Sequence, residues 1–241
     1  MAAAAKHLTP VTLELGGKSP VYVHSDVDVN VAAKRLAWAK TMNAGQICVA
    51  PDYLLLNNKI ADKFLDAYKK ALVQMYGENP RNAPEFGRIV TRNHTLRLKT
   101  LLDRQLSIST SKLEVGGECD PMDRYFAPTI VSGVSERDPL MEEELFGPIL
   151  PVLTVEDENE AIRIINSRDH PLVLNVHSNN HQVIQNIRSS TASGTFMANG
   201  HIVHLLVEDM PFGGVGPSGI GAYHGHAGFL GLYNPLFLNE D

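Results

Sequence analysis

The chain has 241 residues, of which 44% are hydrophobic and 20% are charged, and its formal net charge is −6. A chain of this size forms one large domain or two small ones, and its core needs no disulfide. The acidic balance argues against a nucleic-acid partner. No apolar run approaches the roughly 20 residues of a membrane span. Two cysteines are too few for a disulfide framework, and such low cysteine use is typical of a reducing, cytoplasmic compartment.

Short β-prone runs alternate with helical patterns in the first half of the sequence. Apolar residues between 29 and 39 recur at helical spacing, which predicts a helix that Asp26 or Asp28 could cap. Asn58 could cap a second helix with apolar residues inward from 60 to 75. The predicted strands are 11–15, 20–23 and 53–56, and the second helix is expected to end near Gly77.

The second half continues this alternation. Asp157 and Glu160 have the spacing of a capping box in front of a helix. Further strands are predicted at 112–115 (an edge strand), 129–131, 149–155, 172–176 and 195–198, and further helices at 91–106, after Asp157 and around 183–187. Strands that are apolar on both faces and alternate with helices indicate an α/β fold, with a mostly parallel sheet covered by helices.

The stretch MNAGQICVAPDYLLLN, residues 42–57, places Cys48 in a turn between a predicted helix and a predicted strand. Pro51 has no N–H, so it separates the thiol from the strand that follows. A thiol in such a turn can face a cleft, although a free cysteine is more often a small buried hydrophobe. The motif alone therefore leaves both interpretations open.

Three other side chains are candidates for a site. Glu14 is expected at a strand end before two glycines, where a carboxylate near a thiol could act as a general base or could simply be solvated. Glu144 belongs to an acidic run, and most such runs are solvated. Phe146 precedes a strand, and its ring could belong to the core or line a ligand cleft.

Two apparent motifs in the tail are rejected. Gly214, Gly216 and Gly219 match G-x-G-x-x-G, but Pro217 lies inside the match and no strand–turn–helix–strand unit follows, so a glycine-rich loop is expected. The histidine pairs at 201/204 and 224/226 have no cysteine or carboxylate at zinc-like spacing, so no metal site is expected. Cys119, in a polar glycine-rich stretch, is assigned no role.

Taken together, four stretches resemble the aldehyde dehydrogenase superfamily. They are TLELGGKSP, MNAGQICVAPDYLLL, EELFGPILPV and PFGGVGPSGIGAYHG, which occur in the family's order and at approximately its spacing. The segments APDYLLL and GAYHG resemble those of the group that acts on fatty and aromatic aldehydes. Departures occur where Asn175 and His177 replace residues that are commonly aromatic, and where Gly200 replaces an acidic one.

The resemblance implies roles for five residues. Cys48 would be the nucleophile and Glu14 the general base that activates water. Glu144 would hold a ribose hydroxyl of NAD or NADP, Phe146 would lie on the nicotinamide side of the cleft, and Leu15 would offer its carbonyl to the nicotinamide amide. The implied reaction oxidises a small-molecule aldehyde to a carboxylic acid through a cysteine thioester.

The same resemblance implies a division of the chain. Residues 1–15 would be the remnant of the end of the cofactor domain, 16–218 the catalytic domain and 219–241 an irregular tail, with most of the Rossmann cofactor domain absent. Nucleotide binding would then be impaired, and a homo-oligomer or a pairing with a full-length relative is expected. Two alternatives stay open, namely a cofactor-independent thiol esterase and a non-catalytic remnant.

Overall fold

The computed structural model describes residues 1–232. The helices are α1 (Ala2–Ala5), α2 (Val29–Thr41), α3 (Ala61–Tyr76), α4 (Arg92–Leu106), α5 (Glu158–Asn166), α6 (His181–Ser190) and α7 (Gly225–Leu232). The strands are β1 (Leu13–Glu14), β2 (Pro20–Val23), β3 (Tyr53–Asn57), β4 (Lys112–Val115), β5 (Cys119–Asp120), β6 (Tyr125–Phe126), β7 (Thr129–Ser132), β8 (Ile149–Val155), β9 (Val173–His177), β10 (Thr195–Ala198) and β11 (Gly219–Ile220).

Seven strands of the described residues form one sheet in the order β10-β9-β2-β3-β8-β7-β4. Neighbouring strands are parallel except for the edge pair β4–β7, which is antiparallel. The predicted α/β class with a mostly parallel sheet is therefore confirmed, and the prediction that 112–115 is an edge strand is confirmed as well. No helix in this part of the chain is both long and apolar enough to cross a membrane.

The apolar core lies on both faces of the sheet. Along β3, Leu54 and Leu56 face the helices α2 and α3, whereas Tyr53 and Leu55 face α4, α5 and α6. This alternation follows from the two-residue period of a strand, and burial on both faces explains the uninterrupted apolar run YLLL. The sheet is therefore a rigid platform, and the turns at its edges can be positioned by it.

Helix caps agree with the predictions at some ends and differ at others. Asp28, not Asp26, caps α2, because its carboxylate accepts from the N–H groups two and three residues later at 3.0 and 3.1 Å. Asn58 as a cap is wrong, since the side chain of Asn57 accepts from the Lys59 N–H at 3.1 Å and opens a 3₁₀ turn before α3.

The two ends of the chain also differ from the expected elements. The run 11–15 contributes only β1, which lies outside the main sheet and pairs with β11 in antiparallel fashion. The stretch 219–232 is not irregular as expected, since it contains β11 and α7. Glycines at 225, 228 and 231 hid the helix from propensity reasoning. Residues 233–241 lie outside the described residues, and the division into three segments stays a prediction.

A buried histidine pair closes the carboxyl end of β9. The Nε2 atoms of His177 and His201 are 2.8 Å apart, and both side chains are at most 3% exposed. Burial lowers the pKa of His177 to about 4 and, with the neighbouring His177, lowers the pKa of His201 well below its usual value. Both imidazoles are therefore neutral at pH 7 in the folded protein.

This pair predicts acid sensitivity. Between pH 6.5 and about 4 the unfolded chain binds a proton at His177 that the folded protein does not, so the free energy of unfolding falls as the pH falls. A shift of this size corresponds to about 3 kcal/mol. Urea unfolding at pH 7 and pH 5 should show a smaller loss for His177→Phe/His201→Leu than for the unaltered chain, and an equal loss would contradict the assignment.

Candidate active site

Cys48 follows a turn that begins directly after the end of α2. Residues Met42–Gly45 form a 3₁₀ turn in which Asn43 and Ala44 have φ of 50° and 54°. Cys48 lies three residues beyond, half-buried, and packs against a small apolar cluster that includes Val49 and Phe212. The thiol thus occupies the predicted turn between a helix and a strand.

Glu14 is held by the glycine-rich tail. Its strand β1 pairs with β11 so that Glu14 lies opposite Gly219, and the Leu15 N–H donates to the Ser218 carbonyl at 3.1 Å. A Cβ on Gly214 would lie 2.2 Å from that same carbonyl, so only glycine allows this close approach. The stretch rejected as a dinucleotide fingerprint therefore has a structural task, which is to position Glu14.

The structure brings Glu14 and Cys48 together. Burial, the hydrogen bond and negative charge of Glu14, and the charge of Glu144 together raise the pKa of the Cys48 thiol to about 12, and burial contributes most. The backbone N–H of Cys48 opposes them and lowers the pKa. Cys48 is therefore a thiol at pH 7 with a carboxylate beside it, which is the arrangement that lets a base remove a proton.

Glu144 lies against the first glycines of the GGK segment. Its Oε2 accepts a hydrogen bond from the Gly17 N–H at 3.1 Å, and a Cβ on Gly16 would lie 2.4 Å from the same oxygen. Burial raises the pKa of Glu144 to about 7, and the charge of Asp52 adds to this effect. This carboxylate is thus one part of the acidic run that is not simply solvated.

Phe146 and Leu15 are both partly exposed at this edge. Phe146 is 36% exposed, has a left-handed backbone with φ of 50°, and its carbonyl lies 2.8 Å from His94 Nε2. Leu15 is 49% exposed. Phe146 is therefore not a core residue, and both side chains are available to a ligand.

A cleft of about 550 Å³ opens beside Glu144. It is lined by Gly16, Gly17, Lys18, Glu142, Glu143, Glu144, Ser167, Arg168, Asp169, His170 and Pro217. Its size is typical of a small-molecule site. Cys48 and Glu14 do not line this cleft, so the thiol and the cleft are separate parts of the candidate site.

An ion pair that the sequence did not reveal ties these parts together. The Lys18 ammonium pairs with Asp52 and donates to the carbonyls of Leu140 and Glu143, each at 2.9 Å. Asp52 also accepts from the Leu145 N–H at 2.9 Å. Since Asp52 follows the cysteine turn, this pair joins that turn to the segment bearing Glu144.

Breaking this pair should destabilise the fold strongly. Lys18 and Asp52 have side-chain exposures of 8% and 5%, so Asp52→Asn would leave an unpaired cation in the interior, at a cost of about 3–5 kcal/mol. The matched control is Asp103→Asn, whose partner Lys99 is 40% exposed and whose loss should cost at most about 0.5 kcal/mol. Urea unfolding measures both, and equal losses would refute the assignment.

Other residues at this edge had no clear sequence signal. Arg97 of α4 donates to the carbonyls of Glu144 and Leu145, and Lys40, 1% exposed, has its pKa lowered to about 8 by burial. A lysine at an otherwise apolar helix position was the only available hint. Among residues 1–232 no group of three His, Cys, Asp or Glu side chains is placed to hold a metal ion.

Comparison with known families identifies one match. Residues 1–235 match the model described as the aldehyde dehydrogenase family. A rat protein named dimeric NADP-preferring aldehyde dehydrogenase is 50% identical over 229 residues, which is 95% of this chain and 49% of that protein. Rat aldehyde dehydrogenase family 3 member A2 is 47% identical over 95% of this chain and 46% of its own length.

Solved structures give the same result. The substrate-bound AldH of Staphylococcus aureus superposes with a TM-score of 0.92 at 38% identity, over all of this chain and 53% of that one. An NADP-dependent glyceraldehyde-3-phosphate dehydrogenase from Bacillus halodurans, complexed with NADP, has a TM-score of 0.85 at 26% identity, over 93% and 46%. The chain thus spans about half the length of the curated relatives that it matches.

Proposed function

Because the chain belongs to the aldehyde dehydrogenase family, we propose that it carries the thiol chemistry of aldehyde oxidation, in which an aldehyde becomes a carboxylic acid with NAD(P)⁺ as oxidant. The observation that supports this best is the hydrogen bond and charge by which Glu14 acts on the Cys48 thiol. A nucleophile beside a base is the arrangement that covalent catalysis requires.

The reaction can be assigned to residues of this chain. The Cys48 thiol loses its proton to solvent, and its sulfur attacks the aldehyde carbon to form a thiohemiacetal. The Cys48 N–H stabilises the oxyanion. Bound NAD(P)⁺ would supply the acceptor for the hydride that leaves this carbon. Glu14 removes a proton from water, and the hydroxide attacks the resulting thioester. The carbon–sulfur bond breaks, the carboxylic acid leaves, and the Cys48 thiolate takes the proton back from Glu14, which restores both groups.

The residues near the cleft fit the nicotinamide end of such a nucleotide. Glu144 presents an acceptor oxygen for a ribose hydroxyl. The glycines beside it allow this position, because a side chain on Gly16 would collide with the Glu144 carboxylate. The partly exposed Phe146 ring and the Leu15 carbonyl are assigned to the nicotinamide side. Since the chain spans about half the length of its relatives, we propose that this chain by itself binds NAD(P)⁺ weakly.

The direct test is formation of NADH or NADPH from hexanal or benzaldehyde by the purified chain, followed at 340 nm. Each nucleotide is titrated separately, and binding is also measured by calorimetry without aldehyde. Aldehyde-dependent reduction that saturates supports the proposal. Nucleotide binding without any reduction would refute the oxidation for this polypeptide.

A second activity is favoured by the same pair of side chains. Cys48 and Glu14 suffice to form and hydrolyse an acyl-enzyme, so we propose that the chain hydrolyses activated esters without a nucleotide. Release of nitrophenol from p-nitrophenyl acetate, beyond one equivalent per chain, is the measurement. A rate of nitrophenol release no higher than that in buffer alone would exclude this activity.

A third proposal concerns association. Leu8 and Leu206 are 90% and 79% exposed, and Met210 is 45% exposed. Apolar side chains mark an interaction surface where they form a contiguous exposed patch, and one relative is named dimeric. We propose that the chain forms a homo-oligomer or pairs with a full-length relative. Light scattering after gel filtration tests it, with and without that relative, and a monomer in both experiments would contradict it.

A further inference from the structure

The turn before Cys48 has an unusual backbone. Asn43, Ala44 and Gly45 are three consecutive left-handed residues, with φ of 50°, 54° and 74°. Glycine is required at the third position, because a Cβ there would lie 2.3 Å from the Gly147 carbonyl oxygen. The other two residues carry a Cβ that left-handed backbone brings close to a carbonyl oxygen, so this turn needs support from its surroundings.

That support comes from the side chain of Gln46, which is 9% exposed. Its amide nitrogen donates to the carbonyls of Asn43 and Arg88, both at 2.9 Å. Its amide oxygen accepts from the Val90 N–H at 2.7 Å. In return, the Asn43 amide donates to the Gln46 carbonyl at 3.0 Å. One amide therefore ties the left-handed turn to the segment that precedes α4.

We infer that Gln46 is a positioning residue, which holds the left-handed turn and thereby the orientation of the Cys48 sulfur and N–H. Gln46 does not touch the reacting atoms itself, since it acts through the backbone two residues ahead of the thiol. Both amide hydrogens and the amide oxygen are used, so no other residue type of that size reproduces the set. This inference rests on the proposed role of Cys48 as a nucleophile.

The experiment compares Gln46→Met with the double variant Gln46→Met/Ala44→Gly in the full 241-residue chain. The readout is the acylation burst of Cys48 by p-nitrophenyl acetate. Gln46→Met should slow acylation by about 10²-fold with little change in KM, as small misplacements of a reacting group do. The added glycine adopts left-handed backbone without strain, so the double variant should recover to within about threefold of the unaltered chain.

The matched control is Gln105→Met. Gln105 is also buried, with 0% exposure, and its amide makes three hydrogen bonds, to Ser111, Asp138 and the Leu140 N–H. Its loss should lower stability and leave the acylation rate within about threefold. An unchanged rate in Gln46→Met, an equal loss in Gln105→Met, or no recovery in the double variant would each overturn the inference.

A second readout separates this inference from the proposed function. If the unaltered chain shows no acylation burst, the proposed ester hydrolysis fails, and the iodoacetamide labelling ratio of Cys48 to Cys119, counted by mass spectrometry, then tests the role of Gln46 by itself. Gln46→Met should change this ratio at least fivefold and the added glycine should restore it. A ratio that is equal in all three proteins would overturn the role of Gln46.

Discussion

Replacing Cys48 with serine should remove the acyl chemistry of the chain. Serine keeps the size of the side chain but replaces the thiol with a hydroxyl that is a much weaker nucleophile at neutral pH. The loss should be roughly 10³-fold or more, as for removal of the nucleophile in other acyl-transfer enzymes. Both the nitrophenyl ester burst and aldehyde-dependent NAD(P)H formation measure it.

The matched control is Cys119→Ser. Cys119 is the other free cysteine of the sequence and lies on the short strand β5, where the charges that act on it are those of Lys99, Asp103 and Asp120. This variant should keep the activity of the unaltered chain. Equal activity in the Cys48→Ser protein would show that any turnover comes from elsewhere in the molecule, and the assignment of Cys48 would then be wrong.

Glu14→Gln should separate the two halves of the reaction. Glutamine fills the same space but cannot take a proton from water, so deacylation should slow by about 10²- to 10⁴-fold, which corresponds to about 2.7–5.4 kcal/mol in activation free energy. Stopped-flow measurement should show a burst of nitrophenol followed by a much slower steady state. A control substitution in the exposed loop, Glu85→Gln, should change neither phase.

The same variant should shift the ionisation of Cys48 in a defined direction. The hydrogen bond and charge of Glu14 raise the pKa of Cys48, so its removal should lower that pKa from about 12. The rate of iodoacetamide labelling at Cys48 should therefore rise at a lower pH in Glu14→Gln than in the unaltered chain. An unshifted labelling profile would show that the carboxylate does not reach the thiol, and the proposed general base would be lost with it.

Local sequence patterns were sufficient to predict those elements whose contacts lie mainly between residues close together in the sequence. The bounds of β8 at Ile149–Val155 match the predicted strand because a long apolar run can only be buried. The helix α4 begins after Thr91 and ends at Leu106, which agrees with the predicted range 91–106. The α/β class follows from the same alternation of short apolar runs and helical stripes, which is why it could be inferred before any coordinates.

Family resemblance added the choice of residues, but not their geometry. Four short stretches in the right order predicted which thiol and which carboxylates to consider. Nothing in those stretches indicated that Glu14 leaves the main sheet, or that Phe146 has left-handed backbone. The variants of Cys48 and Glu14 test the roles carried over in this way.

Only the tertiary structure decided how the site is assembled. The sequence by itself determined the fold class and most of the individual strands and helices, together with the turn that carries Cys48, because these depend largely on patterns within a few residues. The pairing of β1 with β11, the Lys18–Asp52 ion pair and the hydrogen bonds of Gln46 join segments that are distant along the chain. Such contacts depend on the complete packing of the sheet, and a linear pattern carries no information about which distant partner each polar group meets.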